Sequence, residues 1–240
     1  VIPIAIVVIC LAISKFFKLA NKINKRGLVY KEKRTLVEEI MYGFHVIFHP
    51  FDGFWDLKHE KRGSAKGATF FLVLTIVAFL YQAVGLGYLA DPYYNGLNFV
   101  MSVASVLLPV MLWVISNWCL TTLFDGEGSF KDVYVTTCYS LVPLPILVVP
   151  SVLLTNILTL DEMSIANMLV TIGFVWTVFL IFFGMMVIHD YTIGKNFITV
   201  LGTIVCMAFV MFIAILFTSL IQKVFSFCYN IYVELGYRFD

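Results

Sequence analysis

The chain has 240 residues, of which 61% are hydrophobic and only 13% are charged, and its formal net charge is +1. A soluble domain is about half apolar and about a quarter charged, so this composition excludes an ordinary water-soluble domain. We expect membrane lipids as its surroundings and no nucleic-acid partner.

The chain opens with the hydrophobic run VIPIAIVVICLAI. This run lacks the basic n-region and the small-residue cleavage site of a signal peptide, so we predict a transmembrane segment over residues 1–17. Since the chain does not begin with methionine, we expect a further portion upstream of this segment.

A basic region follows over residues 18–66 and contains most of the cations of the chain. Twelve of the sixteen Lys and Arg residues lie between Lys15 and Lys66. Within this region, TLVEEIMYGFHVIF at residues 35–48 repeats apolar side chains at helical spacing, which predicts an amphipathic helix on the inner membrane surface. The repeating residues are Leu36, Ile40, Phe44 and Ile47.

Three of the four histidines lie close together in HVIFHPFDGFWDLKHEKRG, residues 45–63, interleaved with acidic residues. His45 and His49 share one helix face, as paired zinc ligands do. However, HVIFH lacks the glutamate that serves as general base in H-E-x-x-H, and Pro50 ends the helix just after His49. We therefore interpret the stretch as a hinge, with a metal-dependent membrane enzyme at His45 and His49 as an alternative.

After this hinge, the residues that follow Pro50 predict a short helix at the membrane surface. Asp52 is well placed to cap that helix. Phe54, Trp55 and Leu57 suit the interface, because amphipathic aromatic side chains gather at headgroup depth.

Five long runs with almost no ionisable residues occupy the remainder of the chain, and each reaches the ~20 residues needed to cross the bilayer as a helix. Helices are expected because isolated strands would leave backbone groups unpaired in lipid. These runs predict an all-α integral membrane protein with a five-span bundle over residues 67–222 and an amphipathic extracytoplasmic tail over residues 223–240. The runs are residues 68–90, 97–124, 133–160, 163–188 and 196–222.

The distribution of cations predicts the orientation of the bundle. The positive-inside rule places residues 18–66 and the loops at 117–133 and 189–196 in the cytoplasm. The loops at 91–96 and 159–166 contain no Lys or Arg and are expected outside. We expect a multi-pass protein of the plasma membrane.

The segment NWCLTTLFDGEGSFKDVYVTTCYSLVPLPI, residues 117–146, contains the most distinctive motif. Asn117 is expected to bond a helix end and Trp118 to lie among the headgroups. The glycines of DGEGS permit a tight turn, and Ser129 can cap a helix that begins at Phe130. The loop lacks a Walker lysine and carries two acids, so we interpret it as a structured loop that a partner reads and not as a phosphate-binding loop.

Prolines interrupt the third span at Pro143, Pro145 and Pro150. Broken helices line the substrate sites of transporters, so a small transporter or channel is an alternative function; simple kinking between packed helices is the interpretation we favour. His189 and Asp190, at the inner end of the fourth span, are expected to cap a helix end and to pair with each other. Since no acid–base constellation lies inside the bundle, we expect no enzymatic activity and no cofactor.

The entry HPFDGFWDLKHEKRGS and the 117–146 segment together resemble the Yip-domain (Ypt/Rab-interacting protein) family of polytopic membrane proteins. HDYTIGKN and the ending YVELGYR resemble its bacterial, Gram-positive-type branch in particular. The resemblance covers about residues 49–222. It implies trafficking and Rab-type GTPase binding for eukaryotic members, and for bacterial members an accessory role in the cell envelope, in some cases beside carbohydrate ABC importers.

We accordingly hypothesise a non-catalytic accessory or scaffold protein that binds other integral membrane proteins, with the permease subunits of a carbohydrate ABC importer as the specific guess. The candidate contact residues are those that carry the motif, namely Asn117, Trp118, Gly126, Gly128, Ser129, Phe130, Tyr139 and Pro143.

Overall fold

The structure, a computed structural model, describes residues 35–91 and 96–239, the side chains at 233 and 235–239 excepted. The transmembrane segment predicted over residues 1–17 lies outside the described residues, as does the basic stretch up to residue 34. The described residues form the helices α1 Leu36–Phe48, α2 Pro50–His59, α3 Ala65–Gly85, α4 Phe99–Thr121, α5 Phe130–Ser140, α6 Pro143–Thr155, α7 Met163–His189 and α8 Ile193–Phe239, with a 3₁₀ turn at Leu160–Glu162.

The prediction of an all-α fold with five helices long enough to cross a membrane is confirmed. The spans are α3, α4, α5 with α6, α7 with its preceding turn, and α8, and they alternate in direction. The third span, α5 with α6, contacts α3, α4 and α7 and is the most buried, with 67% of its most apolar stretch inside the protein. It is therefore the centre of the bundle.

The third span is broken just before Pro143, as predicted, whereas its second helix continues through Pro145 and Pro150. Leu141 and Val142 separate the two helices, and both side chains are buried. Pro143 begins α6, where a missing N–H costs no helical hydrogen bond. The break is therefore filled by aliphatic side chains that pack in the core.

Helices α1 and α2 fold back onto one end of the bundle. The amphipathic helix predicted over residues 35–48 is present. Its buried face includes Tyr42, His45 and Val46 beside the predicted Ile47, whereas Leu36 is exposed. Tyr42 and Val46 join the main core, in which Tyr139 and Phe71 pack edge to face with ring centroids 5.0 Å apart. Helix α1 was predicted to lie on the membrane surface. One of its faces is packed into the core of the bundle.

Helix α8 runs without interruption through the predicted boundary between span and tail at residues 222 and 223. It is 47 residues long. The separate tail helix predicted from Lys223 onward is corrected to a continuation of the fifth span, because one lysine in a run of helix-compatible residues does not end a helix.

Candidate functional site

One end of the bundle collects the loops at residues 60–64, 122–129 and 190–192, together with α2. We call it the cation-bearing end, because every described lysine or arginine before residue 200 lies there. Those residues are Lys58, Lys61, Arg62, Lys66, Lys131 and Lys195. The described loop residues at the opposite end, 86–91, 96–98 and 156–162, include acidic residues and no lysine or arginine.

The cap predicted at Ser129 is confirmed, and Phe130 is the first residue of α5. The Ser129 hydroxyl accepts a bond from the Asp132 backbone N–H at 3.3 Å. In return, the Asp132 carboxylate accepts the Ser129 N–H at 3.1 Å and its O–H at 2.6 Å. This reciprocal capping box fixes the position where the 122–129 loop enters the third span.

A chain of hydrogen bonds with a defined direction runs from this loop into the bundle. The Gly128 N–H donates to His189 Nδ1 at 3.3 Å, so Nε2 bears the ring proton and donates it to Asn117 Oδ1 at 3.2 Å. Asn117 Nδ2 then donates to the Thr203 hydroxyl at 3.2 Å, and Thr203 donates to the Thr199 carbonyl at 2.8 Å. The loop, α4, α7 and α8 are therefore joined through one buried polar path.

Two expectations are corrected in part by this arrangement. Asn117 is fully buried and bonds side chains of two other spans. One of these is His189, the last residue of α7, so the bond is made to a side chain at a helix end and not to the backbone there. The expected cap is present, because Asp190 ends α7 in the left-handed conformation and is exposed. The expected pairing is not, because among the described residues His189 bonds Asn117 and Gly128. The cause is burial, because a polar ring inside the bundle must use the partners within its reach.

The glycines of the loop are required by close packing. A Cβ on Gly126 would lie 2.6 Å from the Tyr191 hydroxyl, and one on Gly128 would lie 2.5 Å from Ile188 Cγ2 and 2.7 Å from the His189 ring. The positive φ of 52° in this loop belongs to Asp125 and not to a glycine. The glycines are therefore needed because neighbouring side chains pack closely against the loop, and not because the turn requires a positive φ at these positions.

Tyr191 joins the loop to the start of α8. Its ring stacks on His189 with centroids 5.3 Å apart, and its hydroxyl donates to the Phe124 carbonyl at 3.2 Å. The Lys195 ammonium lies 4.5 Å from the ring centroid, within the range of a cation–π contact. Burial raises the pKa of Tyr191, and the nearby Asp125 raises it further.

The 122–129 loop and its flanks also expose apolar side chains. Trp118 packs edge to face on Phe130, and each is about two-fifths exposed. Leu123 is 78% exposed and Phe124 is 39% exposed. These four side chains form an apolar tip at the cation-bearing end, where Trp118 was expected at headgroup depth.

Tyr139 fastens α1 to the bundle. Its hydroxyl donates to the Glu39 backbone carbonyl at 3.2 Å, and the Ser64 hydroxyl donates to the Glu39 carboxylate. A Cβ on Gly67 would lie 2.8 Å from the Tyr139 hydroxyl, so this glycine admits the close approach of α3. Tyr139 is fully buried, and its position is that of a packing residue in the bundle.

Among the interfacial residues, Trp55 is 50% exposed, in the manner predicted, and Pro50 is the first residue of α2. Phe54 is fully buried in the main core, and Leu57 is buried as well. The interfacial assignment of Phe54 is corrected, because α2 turns that face toward α7. The N-cap of α2 is His49, whereas Asp52 lies in its first turn.

The rings of His45 and His49 stack at 4.8 Å. His45 Nδ1 is buried and has no hydrogen-bond partner among the described residues. Burial lowers the pKa of this histidine, and His49 lowers it further. No group of three metal-binding side chains gathers anywhere in residues 35–91 and 96–239. Within that range the pair lies at the junction of α1 and α2, where the hinge was predicted.

The comparison with known families gives a match over most of the chain. The family model of the Yip1 domain matches residues 44–216. The chain belongs to the Yip1 domain family. This match starts at the end of α1 and finishes within α8, so the Yip1 domain includes the hinge, the whole cation-bearing end and the packed part of the last span. No curated protein and no solved structure matches the chain.

Sequence reasoning missed Tyr191 and Thr203 as parts of this site and gave His189 the wrong partner. His189 and Asn117 are 72 positions apart in the chain, and Thr203 is 86 positions from Asn117. No local pattern joins residues so distant. The available signal was the presence of isolated polar residues at corresponding ends of three otherwise apolar spans, which favours interhelical hydrogen bonds.

Proposed function

We propose that this Yip1 domain protein is a non-catalytic accessory protein of the plasma membrane that binds other integral membrane proteins through its fifth span. The observation that carries the proposal is the exposure of α8, in which every described side chain from residue 208 to residue 232 is exposed. Only 6% of its most apolar stretch is buried, against 67% for the third span.

The first part of α8 is held firmly, which leaves the rest as a presented surface. Thr203 bonds Asn117, and Asn196 Nδ2 donates to the Phe182 carbonyl at 2.9 Å. Gly202 admits Leu120, whose Cδ2 would lie 2.8 Å from an added Cβ. Beyond these contacts both flanks of the helix are open. Association between spans in lipid depends on side-chain packing, and a lone helix offers both flanks for it.

The partner class that we propose is the permease subunit of a carbohydrate ABC importer. Support for this class comes from the resemblance to the bacterial branch of the family. The apolar tip of Trp118, Leu123, Phe124 and Phe130 offers a second contact at the cation-bearing end, and the exposed Asp125 and Glu127 border it.

Site-specific photocrosslinking in cells tests the proposal. A photoreactive residue replaces Phe209 or Phe217 on the open part of α8, where each side chain is about three-fifths exposed. We expect a discrete product that contains a different membrane protein. The matched control places the same group at Val142, which is 1% exposed and faces the core. Monomer alone at all three positions, or a product of two copies of this chain, would contradict the proposal.

The alternative function is a small transporter that uses the broken third span. It predicts transport of a solute by this chain alone, which an accessory role does not. The break is filled by Leu141 and Val142, which are 5% and 1% exposed. Specific flux of a sugar or an ion through liposomes that contain the purified chain alone would favour this alternative over an accessory role.

A further inference from the structure

A groove of about 540 Å³ lies at the cation-bearing end, between α2, the 60–64 loop and the first turns of α5. Its volume is within the ~300–1,000 Å³ typical of small-molecule sites. The polar side chains that line it and matter here are Lys58, His59, Lys61, Ser129, Lys131 and Thr136.

The cations of this groove outnumber the acids that are free to balance them. Lys58 pairs with Glu127 at 2.9 Å, and Asp132 is held in the capping box with Ser129. Among the described residues, Lys61 and Lys131 have no acidic partner within ion-pair distance, because the ion pairs there belong to Lys58 and Arg62. Lys61 and Lys131 therefore border the same groove without an ion-pair partner among the described residues. The Asp132 carboxylate also lines the groove and keeps its negative charge in the capping box, so three lysines face one unpaired acid and Glu127.

The inner wall of the groove contains a second feature that points to a ligand. Thr136 is fully buried, and its Oγ1 has no hydrogen-bond partner among the described residues. The buried Thr137, Ser140 and Thr121 hydroxyls instead bond carbonyls of their own helices. A buried hydroxyl without a partner is uncommon, since leaving it unpaired is costly.

We propose that this groove binds a phosphate-bearing anion, with Lys61 and Lys131 supplying the charge and Thr136 a hydroxyl donor. Lysine ammonium groups bind phosphate oxygens as point charges, and the positive end of α5 at Ser129 favours an anion further. The half-exposed Trp55 on α2 indicates that this end lies at headgroup depth. The phosphate could therefore belong to a lipid headgroup or to a soluble phosphorylated molecule, and the same contacts would hold either one.

Native mass spectrometry of the purified full chain tests the proposal with two defined lipids, phosphatidylglycerol and phosphatidylcholine. We expect preferential retention of phosphatidylglycerol, and we expect the variant K61Q/K131Q to weaken it by about fivefold per lysine. The control K66Q/K223Q removes the same charge from positions that do not line the groove, and its retention should match that of the wild type.

Two further variants separate binding from folding. E127Q removes the acid paired with Lys58, so the proposal predicts tighter anion binding, a direction that mere structural damage would not produce. T136V keeps the shape of the side chain and removes the hydroxyl, so we expect weaker binding with an unfolding temperature that is unchanged or raised, because a buried hydroxyl without a partner is costly. Wild-type binding by E127Q and K61Q/K131Q alike would overturn the proposal.

Titration of inorganic phosphate into phosphatidylcholine nanodiscs that contain the protein distinguishes the two sources. Binding there that is lost in K61Q/K131Q identifies a soluble phosphate ligand. Retention of phosphatidylglycerol without phosphate binding identifies a lipid headgroup. Equal retention of both lipids together with no phosphate binding, or equal losses in K61Q/K131Q and K66Q/K223Q, would overturn the site.

Discussion

At the scale of single residues, the cation-bearing end depends on groups that fit only because a neighbour is small. Gly128 is the clearest case, since its N–H donates to His189 while its missing side chain leaves room for the same ring. An added methyl group would press on Ile188 and on His189 together. The hydrogen-bond path to Asn117 and Thr203 begins at this glycine.

We predict that G128A lowers the stability of the folded protein by about 1–3 kcal/mol, the usual cost of an overpacked site. Thermal unfolding in mild detergent measures this effect. The matched control is G194A, where an added Cβ meets nothing within 4 Å. Alanine there should leave the unfolding temperature unchanged or slightly raised. Equal unfolding temperatures for the two variants would contradict the close packing at Gly128.

Local residue chemistry was predictable from the sequence, whereas long-range pairing was not. The Ser129 cap depends on residues three positions apart, so the sequence contains the whole motif. The burial of Phe54 depends on α7, whose Gly184 would place a Cβ 3.1 Å from the Phe54 ring. An aromatic side chain beside a membrane suits the interface or the core equally well, and the packing partner decides between them.

At the scale of elements, α1 and α2 are joined at a junction that buries an ionisable ring. His45 is 7% exposed, packed between Tyr42 and His49, whose ring centroids lie 5.3 Å and 4.8 Å away. Burial holds the pKa of His45 below its ordinary value. The unfolded chain therefore binds a proton at this position more readily than the folded chain does.

The sign of the pH dependence follows from that difference. The contribution of His45 to stability is fully present above its unfolded pKa of about 6.5 and is lost as the pH falls through the lower folded pKa. We expect the unfolding temperature to fall on acidification from about pH 7.5 to about pH 5.5, and to fall less in H45Q. The difference between the two chains isolates this histidine from other groups. Parallel curves for the two would contradict the assignment.

The predicted and observed boundaries of the spans show which structural features can be predicted from the sequence pattern. Uncharged length marked all five spans, since charges are excluded from hydrocarbon. The fifth span was predicted to end before Lys223 and to be followed by a separate amphipathic helix, whereas α8 continues to Phe239. The apolar run and the helix end at different residues. The sequence pattern indicates the end of the apolar run more directly than the end of the helix.

At the scale of the whole molecule, the alternation of five spans gives the two ends different charges. Lys131 and Lys195 lie at one end, whereas Asp91 and Asp161 lie at the other. The positive-inside rule counts lysine and arginine, so it predicts that the cation-bearing end faces the cytoplasm.

Single cysteines introduced in a cysteine-free background test this orientation. We expect D91C to react with a membrane-impermeant maleimide added outside intact cells. E127C should react only after the membrane is permeabilised. Labelling of both positions from the same side would refute the alternating arrangement of the spans, and the reverse pattern would refute the predicted orientation.

The length of α8 determines how far this helix extends beyond the membrane, in addition to the surface that it exposes. Its 47 residues extend about 70 Å at a rise of ~1.5 Å per residue, more than twice the ~30 Å thickness of the hydrocarbon. Because its first turns are fixed beside α4, we expect the surplus length to project beyond the far leaflet as a rigid helix. The 17 residues from Lys223 to Phe239 alone account for about 25 Å of that projection. A molecule that binds the C-terminal end of α8 would therefore contact it at a distance from the lipid headgroups.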